Sequence, residues 1–150
     1  MSFWRNTRSR HRRAVDAFLA SVPMRGTILR VGWSDREQTS GGITLNWIRL
    51  PGVRLIADAQ ELPIRPSSCD WISCVEMCYL IWDRSQFARE CARVLRPGGH
   101  LLVTEVTECV ATDDRYANHV TPTWWIDRYF GLERFEGWTT GYGLVLRKPS

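Results

Sequence analysis

Five short apolar runs, rich in β-branched residues, decide what this chain can become: Thr27–Val31, Ile43–Ile48, Val53–Ala57, Trp71–Val75 and His100–Val106. Each has the length of a strand and is bounded by turn formers. Helical spacing appears around them. Val15, Phe18, Leu19 and Val22 mark a helix over Ser9–Val22, ended by Pro23 and Gly26. Phe87, Ala88, Cys91, Val94 and Leu95 mark a second over Ser85–Leu95, closed by Pro97-Gly98-Gly99. Pro122–Phe130 reads as a short helix, and Phe135–Thr139 with Gly143–Arg147 as a closing pair of strands. Strands alternating with helices predict an α/β fold on a mostly parallel sheet with an antiparallel last strand. The expected organisation is one domain over 1–150, with an N-terminal helix at 1–22 and a Rossmann-like core at 27–150.

Composition narrows the partners. A hydrophobic fraction of 44% and eight tryptophans give a single domain of 150 residues enough material for a core. The net charge of +4 is modest, and the early arginines (Arg5, Arg8, Arg10, Arg12, Arg13) lack interleaved aromatics, so they read as a solvated helix face and not as a nucleic-acid surface. No apolar run reaches the ~18–20 residues of a membrane span, and the start of the chain lacks an apolar leader, so a cytoplasmic protein is expected. Cys69, Cys74, Cys78, Cys91 and Cys109 form no CxxC pair and are odd in number. They read as reduced, buried thiols, with no metal site. His11, His100 and His119 have no ligand or triad spacing and receive no role.

Ligands of parallel sheets bind beyond the carboxyl ends of the strands. The segments to inspect are Arg30-Val-Gly-Trp-Ser-Asp-Arg36, Asn46-Trp47, Asp58-Ala59 and Cys74-Val-Glu-Met77. The blocks Ala57-Asp-Ala-Gln-Glu-Leu-Pro63, Cys69-Asp-Trp-Ile-Ser-Cys-Val-Glu76 and Ala92-Arg-Val-Leu-Arg-Pro-Gly-Gly-His-Leu-Leu102 together resemble the central half of class I S-adenosylmethionine-dependent methyltransferases, above all the small-molecule branch called type 11. The resemblance implies a minimal Rossmann-like methyltransferase fold, S-adenosylmethionine as cofactor and a small-molecule substrate. It places Asp58 on the adenine amino group with the Ala59 N–H on the ring, Asn46 on the ribose hydroxyls, and Gly32 under the methionine part. Val75 and Glu76 would line the floor near the sulfonium.

The chain departs from that family in several places. Arg30 stands where an acid would bond the cofactor's ammonium group, and Trp33-Ser34 replace a small residue and the second glycine. Asn46 has one donor end, so it is not a two-point acceptor for a diol. Tyr79-Leu80 replaces the Glu-His pair that would supply a base. Gly32 to Gly42 and Trp47 to Gly52 are both too brief for crossover helices. If substitution has closed the pocket, Trp33 and Arg30 fill the methionine space, and the alternative function is a non-catalytic relative serving a protein partner or a homo-oligomer. Trp33, Trp47 and Tyr79 read as core filling, with a stacking platform as the alternative. Glu105, Glu108, Asp113 and Asp114 read as a solvated loop after the fifth strand.

Overall fold

The computed structural model describes residues 3–32, 41–106 and 128–150, with side chains from Arg10 onward. Its elements are helix α1 (Phe3–Ser21), strands β1 (Ile28–Val31), β2 (Ile43–Asn46), β3 (Leu55–Ile56) and β4 (Cys69–Val75), helix α2 (Arg84–Val94), and strands β5 (Leu95–Val106), β6 (Gly131–Trp138) and β7 (Gly141–Arg147). The seven strands form one sheet in the order β3-β2-β1-β4-β5-β7-β6. The first five are parallel and β7 runs antiparallel between β5 and β6, as the apolar runs predict.

Alternation along each strand sorts side chains to two faces. Leu29, Val31, Leu45, Ile72, Cys74, Leu101, Val103, Leu144 and Leu146 point to one face, where Phe87, Ala88, Cys91 and Val94 of α2 complete the larger core. Leu102 and Val145 point to the other, where Phe18 and Val22 of α1 cover them. The helical spacing read from the sequence is this division: each helix spends its apolar stripe on its own side of the sheet. Phe18 lies on Gly143, where a β-carbon would meet its ring. The Arg134 guanidinium caps the ring at 5.1 Å from its centroid.

Local polar contacts set the element ends. Asp83 accepts a hydrogen bond from the Gln86 N–H at 2.9 Å, capping the start of α2. Leu95 and His100 pair with Cys69 and Trp71, so Pro97-Gly98-Gly99 stands as a bulge within β5 and does not precede the strand. Gly98 allows this through φ of 74°. The second run ends at Asn46, two residues sooner than the apolar pattern suggests, and the third shrinks to Leu55–Ile56. Between them no helix intervenes. Thr44 donates its hydroxyl to the Gly52 carbonyl at 2.6 Å and accepts from the Arg54 N–H at 3.0 Å, pinning the return loop along β2. Of the helix expected at 122–130, residues 122–127 lie outside the described residues and 128–130 form a turn. The short link after Gly32 lies largely outside them too. Among the described residues, no helix is long and apolar enough to cross a membrane.

Phe18 is 1% exposed and is the main apolar anchor of α1 on the sheet. Phe18→Ala is expected to cost about 3–5 kcal/mol, read as a lowered urea midpoint by circular dichroism. A loss under about 1 kcal/mol would mean that α1 is held by other contacts.

Candidate functional site

The parallel order β3-β2-β1-β4 brings the ends of four strands to one edge. Gly32 follows β1, Asn46 ends β2, Asp58-Ala59 follow β3, and Val75-Glu76 end β4. Separate stretches of sequence thus place Gly32, Asn46, Trp47, Asp58, Ala59, Val75 and Glu76 along one carboxyl edge. Trp33 lies outside the described residues.

At the β3 end, Asp58 is exposed and accepts the Gln60 N–H at 2.8 Å, while Ala59 is buried. This loop is fastened to α2 by Glu90, which is 8% exposed, accepts the Leu62 N–H at 2.8 Å and holds the Arg93 guanidinium at 2.7 Å and 2.8 Å. Arg93 in turn donates to the carbonyls of Ile64 and Leu62 at 2.8 Å and 2.9 Å. The Arg93 hydrogen bonds lower the Glu90 carboxyl below its ordinary value, despite its burial. At the β2 end, Asn46 is buried, and its side-chain oxygen accepts from the Ile48 N–H at 3.3 Å. Trp47 is 74% exposed, which corrects its reading as core. With β2 ending at Asn46, the chain turns outward and carries the indole off the sheet.

At the β1 and β4 ends, two left-handed residues stand on adjacent strands: Gly32 at φ 76° and Glu76 at φ 51°. The space beside the Gly32 α-carbon is filled by the Met77 side chain. Arg30 does not enter it. Its buried side chain turns back along the sheet and donates through Nε to the Gly41 carbonyl at 2.9 Å, near the start of β2. This corrects the picture of Arg30 filling the methionine space. Alternation puts Arg30 on the face opposite Leu29 and Val31, and its length carries it to an open carbonyl before β2.

Two acidic residues change meaning. Glu105 is 1% exposed, so it belongs to the buried end of β5 and not to a solvated loop. Neither of its carboxyl oxygens has a hydrogen-bond partner among the described residues. Burial pushes its carboxyl up from 4.5 to about 7, and the nearby Cys78 thiol and N–H offset this only in part. Cys78 lies 3.3 Å from Cys74, sulfur to sulfur, and both are buried free thiols, as are Cys69 and Cys91. Cys109 lies outside the described residues. The Glu76 carboxyl meets the ring Nε2 of His11, a residue the sequence pattern left without a role. The other ring nitrogen, Nδ1, lies 2.7 Å from the Thr140 hydroxyl and accepts from the Trp138 indole N–H at 3.1 Å. No local spacing reports this group, because its members lie 65 to 129 residues apart.

A family model described as a methyltransferase domain matches residues 38–103. The methyltransferase GfsG of Streptomyces halstedii is 42% identical over 59 residues, covering 39% of this chain and 21% of that protein. The match therefore spans about a fifth of that relative's length. Among solved structures, the PH0226 protein from Pyrococcus horikoshii superimposes with a TM-score of 0.75 at 14% identity, over 95% of this chain and 91% of that one. The cyclase SpnF superimposes with a TM-score of 0.70 at 18% identity, over 92% and 80%. At these identities the likeness is one of fold, which by itself does not name a reaction.

The raised Glu105 carboxyl makes a stability prediction. Between pH 4.5 and about 7 the folded protein holds a proton that the unfolded chain has released. The stabilisation is full below the unfolded value and is lost as pH rises through about 7. Glu105→Gln removes this dependence. Its urea-derived stability relative to the parent should therefore rise by about 2–3 kcal/mol between pH 4 and pH 8. A difference that stays flat with pH would show that Glu105 ionises normally.

Proposed function

We propose that the chain is a type 11 member of the class I S-adenosylmethionine-dependent methyltransferases, a reading supported by the methyltransferase-domain match over residues 38–103, and that it transfers a methyl group from S-adenosylmethionine to a small-molecule acceptor. The observation that carries the reading is the edge itself, where Gly32, Asn46, Asp58 and Glu76 stand at the ends of four neighbouring parallel strands. The described residues fit the cofactor's adenosine end. Asp58 is exposed and acceptor-rich, and the Glu90–Arg93 clamp holds its loop, so an adenine amino group has a fixed partner. Asn46 stands at the end of β2 with its side-chain oxygen already bonded by the Ile48 N–H, and the exposed Trp47 offers a flat apolar face beside it. At the methionine end, left-handed Gly32 leaves the backbone bare, with Val75 and Glu76 on the next strand and Trp33 following in sequence. Met77 covers this glycine, and its unbranched thioether chain can leave by changing rotamers alone.

When bound, the cofactor supplies a sulfonium whose methyl group is reactive without protein chemistry, so the protein's part is positioning. With Tyr79-Leu80 in place of a Glu-His pair, the fitting acceptor is an amine or an already acidic hydroxyl.

A second reading is favoured by one specific observation, the Met77 side chain seated on Gly32 next to a first strand that carries Arg30 in place of an acid. It makes the chain a non-catalytic relative that serves a partner protein or a second copy of itself. Calorimetric titration with S-adenosylmethionine and S-adenosylhomocysteine separates the two: micromolar binding supports the enzyme, and no binding at millimolar ligand supports the non-catalytic relative. In the enzyme, Asp58→Ala should weaken S-adenosylhomocysteine by about 10- to 100-fold, the cost of unpairing a bound donor. An unchanged affinity would put the adenine elsewhere.

A further inference from the structure

The sheet ends on β6, at the side remote from β3. β6 pairs with β7, and no other strand among the described residues lies along it. A row of outward N–H and C=O groups on an edge strand is a template for another strand. The hairpin fixes which groups point outward. Trp138 and Gly141 close a two-residue turn, which makes them a hydrogen-bonded pair. Alternation then makes Glu136–Gly143 and Arg134–Val145 bonded pairs as well. The intervening Phe135 and Gly137 turn their N–H and C=O groups to the outer side.

The two faces of β6 differ in kind. Phe135 lies opposite Leu144, on the face that α2 covers elsewhere. Its ring lies over Gly137, where a β-carbon would come within 3.4 Å, and stacks on Tyr142 with centroids 6.1 Å apart. Phe135 is still 61% exposed, and Leu132, opposite the core residue Leu146, is 60% exposed. On the α1 face stand Arg134, over the Phe18 ring, and Glu136, opposite Gly143. Within one chain these two charges bond each other at 2.5 Å, and both are half-exposed.

This pattern is complementary to itself. Two identical strands that pair antiparallel are related by a two-fold axis, and the axis must oppose residues whose ladder groups point outward. Centred on Phe135, it sets that residue opposite its own counterpart as a hydrogen-bonded pair and brings the two apolar rings together. It also sets Arg134 opposite Glu136 of the second copy, and Glu136 opposite the second copy's Arg134, as closely spaced non-bonded pairs of opposite charge. The neighbouring register, with Phe135 opposite Gly137, would set Glu136 against Glu136, which like charge disfavours. The bulge between Leu132 and Arg134 ends the regular edge, so the contact is short and the association weak.

We propose that two copies of this chain pair antiparallel along β6, with the two-fold axis at Phe135, and so join their sheets into one. The proposal rests on the order of the sheet and not on the cofactor, and it applies to an enzyme and to a non-catalytic relative alike.

The test is sedimentation equilibrium of the full chain from about 1 to 500 μM, a range that covers weak association. The mass should rise from 17.4 kDa toward that of a dimer. Phe135→Glu, a change at an exposed side chain, should weaken the dimer by about 10-fold or more. Arg134→Glu and Glu136→Arg should each do the same, because each sets like charges opposite one another twice. Mixed in equal amounts, these two variants should associate about as tightly as the parent, since the mixed pair restores two opposite-charge contacts. The bond within one chain cannot produce this rescue, because mixing leaves it broken. In the parent, hydrogen exchange at the Phe135 and Gly137 amides should slow as concentration rises, while the inward amides of Arg134 and Glu136 keep their rates. If Arg134→Glu fails to fold for want of its Phe18 contact, Phe135→Glu and the exchange rates carry the test. A mass that stays at 17.4 kDa throughout would overturn the proposal, as would one that climbs past the dimer. So would a dimer that survives Phe135→Glu with unchanged exchange at Phe135 and Gly137, because the contact would then lie elsewhere. A mixture of folded charge variants that fails to associate would overturn the two-fold register.

Discussion

The pairing of β1 with β4 is the constraint on which the edge depends. These strands are not consecutive in the chain, yet they run side by side with Val31 opposite Cys74. The chain leaves both through left-handed residues, Gly32 and Glu76. For glycine that conformation carries little steric cost. For glutamate it costs on the order of 1–3 kcal/mol, offset here by the ladder bond to Thr104 and the contact with His11. The two turns stand beside each other, and the Met77 side chain fills the space next to Gly32. Everything else at the edge is arranged around them.

The two helices support that edge by different means. α2 packs Phe87, Cys91 and Val94 into the larger core, and through Glu90 and Arg93 it fixes the backbone after β3. Its contribution to the site is a held loop. α1 works on the other face, where Phe18 and Val22 bury themselves against Leu102 and Val145. Those contacts lie low on the helix, and His11, about two turns earlier, arrives level with the carboxyl edge. The apolar stripe thus sets the height at which the imidazole meets Glu76. The β6–β7 turn supplies Trp138 and Thr140, so a ring nitrogen is satisfied by the last hairpin while the other serves the fourth strand.

What the sequence made legible follows from what is local. Strand identity and helix faces are written in periods of two and 3.6, and the parallel order of β1 to β5 agrees with them. Strand ends were less legible. Whether Trp47-Ile48 continues β2 depends on a partner strand that ends first, and the bulge at Pro97-Gly98-Gly99 depends on the register of β4 against β5. The positions of Gly32, Asn46, Asp58 and Glu76 at the sheet edge were legible because they follow or end strands. His11 was missed because its meaning lies in residues from β4 and the last hairpin. Glu105 was misread for a related reason, since the end of a strand looks polar in sequence and its burial is decided by neighbours on β7 and at Cys78. Arg30 stands out in the sequence as a charge within an apolar strand, but its direction depended on the carbonyl of Gly41, which sequence spacing does not reveal.

The missing crossover between β2 and β3 bears on how binding and stability are coupled. β3 is two residues long, and its link to β2 is held by the Thr44 hydroxyl where a helix would bring apolar cover. β4, β5 and β7, by contrast, share long ladders with buried side chains on both faces. Local opening free energies differ across such a sheet, lowest where buried apolar contacts are few. Asp58 and Asn46 sit on the thin side, and Glu76 sits on the thick side. A ligand spanning that edge would tie the two together, because each side would gain stability only from contacts absent in the opened form.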